Sequence, residues 1–343
     1  MAEEEWFLTP PAVRRLPTLC IRTLQSNSPL AQLNIVEAAI KYIVNCLLCL
    51  CLLSTQAAPH RPNTAPMVVH IPLAPSSAAS STPSPASMHT QVFKPHGPGP
   101  FKVLLYAHGR PAYASERARL LRPIHGRHVQ YWLAKGYAVV APIRPGYGTP
   151  PYGTGGVDQE SSGAGYTASG QCIRSPHPAR AAQAAASAQR QALDWVRQQP
   201  WARKDRIVLE GQSMGGLTTV ALCASNPPGV VGCINFSGGA GGDPQHAPGA
   251  MCEPAKITQL MRGYGNSTTA PSIWLYAPND LYWGSEPPKQ WHAAFSGAAK
   301  AANHPASTLV HTAPIGSDGH SLQRAGSKLW GPPLEAWLRK NAL

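Results

Sequence analysis

Residues 206–225 read RIVLEGQSMGGLTTVALCAS, and the reading of this stretch decides the fold. Residues 206–210 are a short apolar run with β-branched members, which predicts a strand. Residues 214–225 are almost wholly apolar and long enough for a buried helix. Between them stands Gly211-Gln212-Ser213-Met214-Gly215, a G-x-S-x-G pentapeptide at a strand-to-helix corner. A serine at such a corner sits on a strained turn that lifts its hydroxyl above the sheet edge. Side chains two residues to either side would collide, which calls for Gly211 and Gly215, and Gly216 adds room for close helix–strand packing. A serine hydroxyl is a weak nucleophile until a neighbouring base takes its proton. Ser213 is therefore a candidate nucleophile only if other segments bring it a base and an acid.

Around this corner, from about residue 91 onward, short apolar runs alternate with helix-period segments. Strands are predicted at 101–107 (FKVLLYA), 137–141, 230–236, 273–277 and 308–312. Helices are predicted around Val129, Trp132 and Leu133, over 179–199 up to Pro200, and around Leu334, Trp337 and Leu338. Strands that are apolar on both sides and alternate with helices mean a mostly parallel sheet covered on both faces, in one α/β domain of about 250 residues.

In a parallel sheet, functional side chains gather beyond the carboxyl ends of the strands. Asp280 follows the strand 273–277 in Ala277-Pro278-Asn279-Asp280, and His320 follows 308–312 in Gly316-Ser317-Asp318-Gly319-His320. The assignment makes His320 general base and then general acid, with Asp280 fixing its tautomer and stabilising the imidazolium. Rival acids are Asp318, too near in sequence to reach behind the ring, and Glu286, in a Pro-rich loop; rival bases are His292, His304 and His311. A tetrahedral intermediate also needs two N–H donors for its oxyanion. Met214, the residue after the serine, supplies one, and Arg110 in His108-Gly109-Arg110-Pro111 the other, since Pro111 has no N–H.

The motifs HGR (108–110), GQSMGG (211–216), PND (278–280) and DGH (318–320) resemble, in this order, those of an α/β-hydrolase similar to dienelactone hydrolases and related exported serine esterases. The resemblance covers residues 91–343. It implies an eight-stranded, mostly parallel sheet and Ser213, Asp280 and His320 as catalytic triad. Dienelactone hydrolases carry cysteine where this chain has Ser213, whereas serine-type relatives include esterases, acyl transferases and prolyl-oligopeptidase-like peptidases. The expected activity is hydrolysis of carboxylic esters through an acyl-enzyme on Ser213, with a small-molecule or acyl-ester substrate and no cofactor. The alternatives are a peptidase or acyl transferase on the same triad, and a non-catalytic binding protein on this fold.

Tyr147 and Trp283 are candidate substrate-binding side chains, and residues 238–265 form an insertion able to act as a small lid. His125 and His128 are spaced for one helix face, but no carboxylate or thiol lies near in sequence, so no metal site is expected. Gly238-Gly239-Ala240-Gly241-Gly242 follows a strand but lacks the later acidic partner of a dinucleotide fingerprint. The chain of 343 residues carries 29 Lys and Arg against 16 Asp and Glu, net +13. These charges are scattered, with no block of five or more Lys/Arg, so a basic exported protein is expected and no nucleic-acid partner.

Residues 42–53 (YIVNCLLCLCLL) are the one long apolar run. As a helix they would rise about 18 Å, short of a bilayer core of about 30 Å, but they suit the apolar region of an export signal cleaved after Ala57. Residues 1–57 are thus read as a leader and 58–90 as a Pro/Ser/Ala-rich linker or strap. The protein is expected to be periplasmic or secreted, with no stable membrane span after signal removal. Four cysteines remain beyond the leader. Cys172 and Cys252, in Gly/Pro/Ser-rich loops, are expected to pair. Cys223 and Cys233, on an apolar helix and strand, are expected as buried free thiols.

Overall fold

The computed structural model describes residues 65–73, 87–150 and 158–343; the expected leader 1–57 and parts 58–64 and 74–86 of the expected linker lie outside them. Among the described residues ten strands occur: β1 (Met67–Pro72), β2 (Ser87–Phe93), β3 (Phe101–Ala107), β4 (Tyr137–Pro142), β5 (Gly165–Tyr166), β6 (Cys172–Arg174), β7 (Ala202–Gln212), β8 (Val230–Phe236), β9 (Ser272–Tyr276) and β10 (Ser307–His311). The helices are α1 (Ala114–Ala118), α2 (Gly126–Leu133), α3 (Pro178–Gln198), α4 (Met214–Cys223), α5 (Pro254–Ser267), α6 (Glu286–Ala301), α7 (Leu322–Ala325) and α8 (Ser327–Lys340).

Eight strands form one sheet in the order β1-β2-β4-β3-β7-β8-β9-β10. The six from β4 to β10 in that order are parallel, and β2 runs against both its neighbours. The sheet therefore begins before residue 91. Segments Met67–Pro72, within the stretch read as linker, and Ser87–Phe93, which straddles its end, pair in register from Met67 with Val92 to Pro72 with Ser87. Their short apolar runs, MVVHIP and SMHTQVF, are separated by Ser/Pro/Ala-rich sequence that masks them as strands.

Successive side chains in a strand face opposite sides, and β3 shows both sides covered. Leu104 and Tyr106 pack with Trp132 of α2 and Trp330, Leu334 and Trp337 of α8. Val103 and Leu105 pack with Leu193 and Val196 of α3. Helices α4, α5 and α6 complete that second face around Leu217, Met261, Trp274 and Trp291. Trp132, Trp274 and Trp291 are fully buried, and truncating any one to Ala is expected to cost about 3–5 kcal/mol.

The 238–265 insertion is only partly a loop, because its second half belongs to α5, with Pro254 in the first turn. Glu286 likewise opens α6 rather than lying in a Pro-rich loop: Pro in the first turn costs no hydrogen bond and presets φ for the helix. No helix among the described residues is long and apolar enough to cross a membrane.

Candidate active site

Strand order reverses at β3: the chain runs from β3 to its neighbour β4 through α2 on one face of the sheet, and from β7, on the other side of β3, to β8 through α4 on the opposite face. Such a reversal leaves a crevice at the carboxyl ends of the strands. The loop after β3 and the corner after β7 flank that crevice. Ser213 stands between β7 and α4 with φ 58° and ψ −124°, a conformation costly for a residue with a Cβ. Its surroundings hold it there. The Ser213 N–H donates to Phe236 O at 2.9 Å, and its carbonyl accepts from Leu217 N at 3.1 Å. A Cβ on Gly211 would overlap Gly215 O, and one on Gly215 would overlap Ala107 O. The corner thus closes only with glycine at both positions.

Asp280 lies just beyond β9 and is 1% exposed. Its carboxylate accepts from Tyr282 N at 2.8 Å and Trp283 N at 3.3 Å. His320 Nδ1 approaches its two oxygens at 3.1 and 2.9 Å. The imidazole packs against Tyr282, tilted by 31° at 4.0 Å between centroids, and meets Trp283 edge-on at 5.5 Å. Asp318, the rival acid, is otherwise engaged: it accepts from His320 N and Leu281 N, stitching the two acid- and base-bearing loops together. Asn279 extends the seam through Ile315 N, Ile315 O and Gly316 O. His292, a rival base on α6, is bonded to Ser307, the first residue of β10, at 3.0 Å.

Ser213, Met214 and Arg110 border one cavity of about 280 Å³, together with Glu160, Tyr282 and Trp283. A Cβ on Gly109 would sit 3.3 Å from Ser213 Cβ, so the loop after β3 touches the serine. Among the described residues Ser213 Oγ makes no hydrogen bond; in unliganded sites such contacts often tighten only around substrate. A wider hollow of about 800 Å³ is bordered by His320 and Tyr282 together with Arg122, Arg127 and Arg324.

Trp283 lines the cavity, with its indole N–H donating to Ser237 O at 2.9 Å. Tyr147 does not. It is fully buried and its hydroxyl donates to Glu160 at 2.6 Å, so its contribution is to hold a cavity residue in place. Its Gly-rich setting marks a turn but carries no signal of which way the ring points. His125 and His128 do not form a metal pair: His125 caps α2 by accepting from Arg127 N, and His128 is bonded to Glu210. Among the described residues no group of three His, Cys, Asp or Glu is placed to hold a metal ion.

Glu210 is a site-supporting residue that the strand reading passed over. Fully buried beneath the corner, it accepts from Trp132 Nε1 at 3.1 Å and Gln323 Nε2 at 2.8 Å. Gln323 follows His320 by three residues and also accepts from Tyr106 OH at 2.9 Å. Burial, with Glu210 nearby, pushes the Tyr106 phenol up, so it remains a donor. This cluster anchors α7 and the turn that presents His320.

The cysteines pair as Cys172–Cys252 and Cys223–Cys233. The first matches expectation. The second corrects the reading of two free thiols: the turn between α4 and β8 folds the helix's last residue back beside the strand, with Cα atoms 6.5 Å apart. Judging each thiol by its own element missed that proximity.

Strand order, single reversed strand and corner serine define an α/β-hydrolase fold. The sequence bears this out over a short span: a family model described as an Abhydrolase family matches residues 183–235, from within α3 to β8. No curated protein matches the chain by sequence. Among solved structures, acylaminoacyl peptidase from Pyrococcus horikoshii superposes with TM-score 0.50 at 12% identity, covering 76% of this chain. The chain spans 39% of that peptidase's length. An esterase from Pyrococcus furiosus gives TM-score 0.48 at 14% identity, over 81% of this chain and 91% of that one.

Proposed function

We propose that the protein is an exported serine hydrolase that cleaves carboxylic esters through an acyl-enzyme on Ser213, with His320 and Asp280 completing the triad. The observation that supports this reading is a strained corner serine after β7 together with an Asp280–His320 hydrogen bond between the loops that follow β9 and β10, at the same carboxyl edge of the sheet. In the mechanism, His320 Nε2 takes the Ser213 proton as Oγ attacks the ester carbonyl. The N–H groups of Met214 and Arg110 receive the oxyanion. Collapse expels the alcohol, which takes its proton from His320, and water then repeats the sequence to release the acid and restore Ser213. Asp280, buried and acceptor-only, keeps the imidazole proton on Nδ1 and balances the imidazolium.

The cavity volume of about 280 Å³ lies at the small end of ligand pockets, which run to about 1,000 Å³, and this favours a small acyl group over a peptide segment. Two disulfides fit an oxidising, extracytoplasmic compartment. The test is a panel of chromogenic acyl esters, neutral and carboxylate-bearing, run beside a peptide substrate and fluorophosphonate labelling. Wild type is expected to hydrolyse short esters and to be labelled at Ser213. Ser213→Ala should lose both with melting unchanged, and retained turnover in that variant refutes the mechanism.

A further inference from the structure

The loop that carries Arg110 is braced by buried charge beyond what a strand-ending turn requires. His108 is 2% exposed. Its Nε2 lies 3.2 Å from the Arg144 backbone N–H and its Nδ1 lies 2.7 Å from Gly109 O. A backbone N–H only donates and a carbonyl only accepts, so the ring must be neutral with its proton on Nδ1. Burial, with the Arg144 charge second, holds this imidazole well below its ordinary range and keeps it so. The Arg144 guanidinium, fully buried, donates to His108 O at 2.8 Å. It is held by Glu160 at 2.6 and 2.9 Å, and Glu160 also accepts from Tyr147. Beyond the turn, the Arg110 guanidinium is tied to Asp158 at 3.0 and 2.6 Å. Arg117 of α1 donates to Pro111 O and Ala112 O.

The peptide joining Gly109 to Arg110 is planar and trans, so its C=O and N–H point in opposite directions. Whatever fixes Gly109 O therefore aims the Arg110 N–H. We infer that His108 is a positioning residue: by holding Gly109 O through Nδ1–H, in a tautomer selected by Arg144 N–H, it turns the Arg110 N–H toward the oxyanion of the Ser213 adduct. Glu160 acts one step further back, fixing Arg144. The inference rests on the serine-hydrolase reading and adds to it the group that orients one of its two donors. It also accounts for a fully buried arginine–glutamate pair beside a cavity wall, which an ordinary turn would not need.

The experiment compares three variants with wild type on the short ester that wild type hydrolyses. His108→Gln loses the donor at the Nδ1 position, whereas His108→Asn keeps an amide donor there. Loss of one oxyanion donor costs about 10²–10³ in turnover. His108→Gln is therefore expected to lower kcat about 10²-fold with KM within about threefold, and to lose affinity for a trifluoromethyl ketone in the same proportion. His108→Asn should recover about tenfold or more of that loss. Glu160→Gln, nearly isosteric, should lower kcat about tenfold and leave KM unchanged. Nitrogen-15 spectra of wild type should show the His108 proton on Nδ1. Unchanged kcat in His108→Gln, undiminished ketone affinity, or a proton on Nε2 overturns the inference. If His108→Gln does not fold, Glu160→Gln and the spectra decide alone, and unchanged kcat in Glu160→Gln overturns it. If wild type hydrolyses no ester and is not labelled at Ser213, the hydrolase reading fails and this inference with it. Full activity in the His108 variants of a working enzyme sinks this inference only.

Discussion

The two disulfides should contribute unequally to stability, and the difference follows from loop length. Cys172–Cys252 closes 80 residues and Cys223–Cys233 closes 10. Chain-entropy scaling gives about 4.5 kcal/mol for the first and about 2.7 kcal/mol for the second. Against a typical total of about 5–15 kcal/mol, either loss is large. The paired variants Cys172→Ala/Cys252→Ala and Cys223→Ala/Cys233→Ala are the perturbation, and urea titration without reductant is the assay. The long-loop variant should fall about 2 kcal/mol further than the short-loop one. Its activity should fall as well. Beside Cys252, whose N–H donates to Tyr166 OH at 2.8 Å, runs a cavity wall that Tyr166 also grips through Gly241 O. The short-loop variant should keep its turnover, because that bridge sits at the far end of α4 from Ser213. Equal losses, or a larger loss from the short loop, would refute the entropic reasoning. Preserved turnover in the long-loop variant would refute the structural part.

Two further outcomes can be measured directly. Gly215→Ala drives a methyl into Ala107 O; a loss of roughly 1–3 kcal/mol with kcat reduced at least as much as by a distant variant of equal stability is expected, by calorimetry and ester turnover. His292 is pushed down to about 4 by burial, against about 6.5 unfolded. Below pH 6.5 the unfolded chain binds a proton that the folded chain refuses, so stability should fall by an order of 3 kcal/mol between pH 7 and 4 and level off below. His292→Gln should flatten that slope in denaturant midpoints across the range, and an unchanged slope would refute the assignment.

What could be read from the sequence was whatever has a local signature. The run 206–225 carries its strand, corner and helix within twenty residues, and its glycines are demanded by the close approach of Gly215 O to Gly211 and of Ala107 O to Gly215. Asp280 and His320 could be picked out because each follows a strand at the carboxyl edge. Other features depend on contacts between distant segments and have no such signature. Strands β1 and β2 exist because they pair with each other and with β4, and their composition alone reads as linker. Glu210 sits in an apolar strand where its charge looks like an exposed end, and only Trp132, His128 and Gln323 make its burial tolerable. Tyr147 was placed near the cavity in sequence, but its orientation is set by Glu160 from a later segment. Cys223 and Cys233 failed for the same reason on a smaller scale: a six-residue turn decides that they face each other.

The cysteine connectivity has a consequence for how the chain matures. One bridge is nested inside the other, Cys223–Cys233 lying wholly between Cys172 and Cys252. An oxidant that joined thiols two by two as they emerged from a translocation pore would link Cys172 to Cys223 and Cys233 to Cys252, both incorrect. Native pairing therefore calls either for the inner hairpin-like turn to fold before the outer thiol finds a partner, or for a disulfide isomerase to undo the consecutive links. A host lacking such an isomerase is expected to give less correctly paired protein, however stable the finished fold.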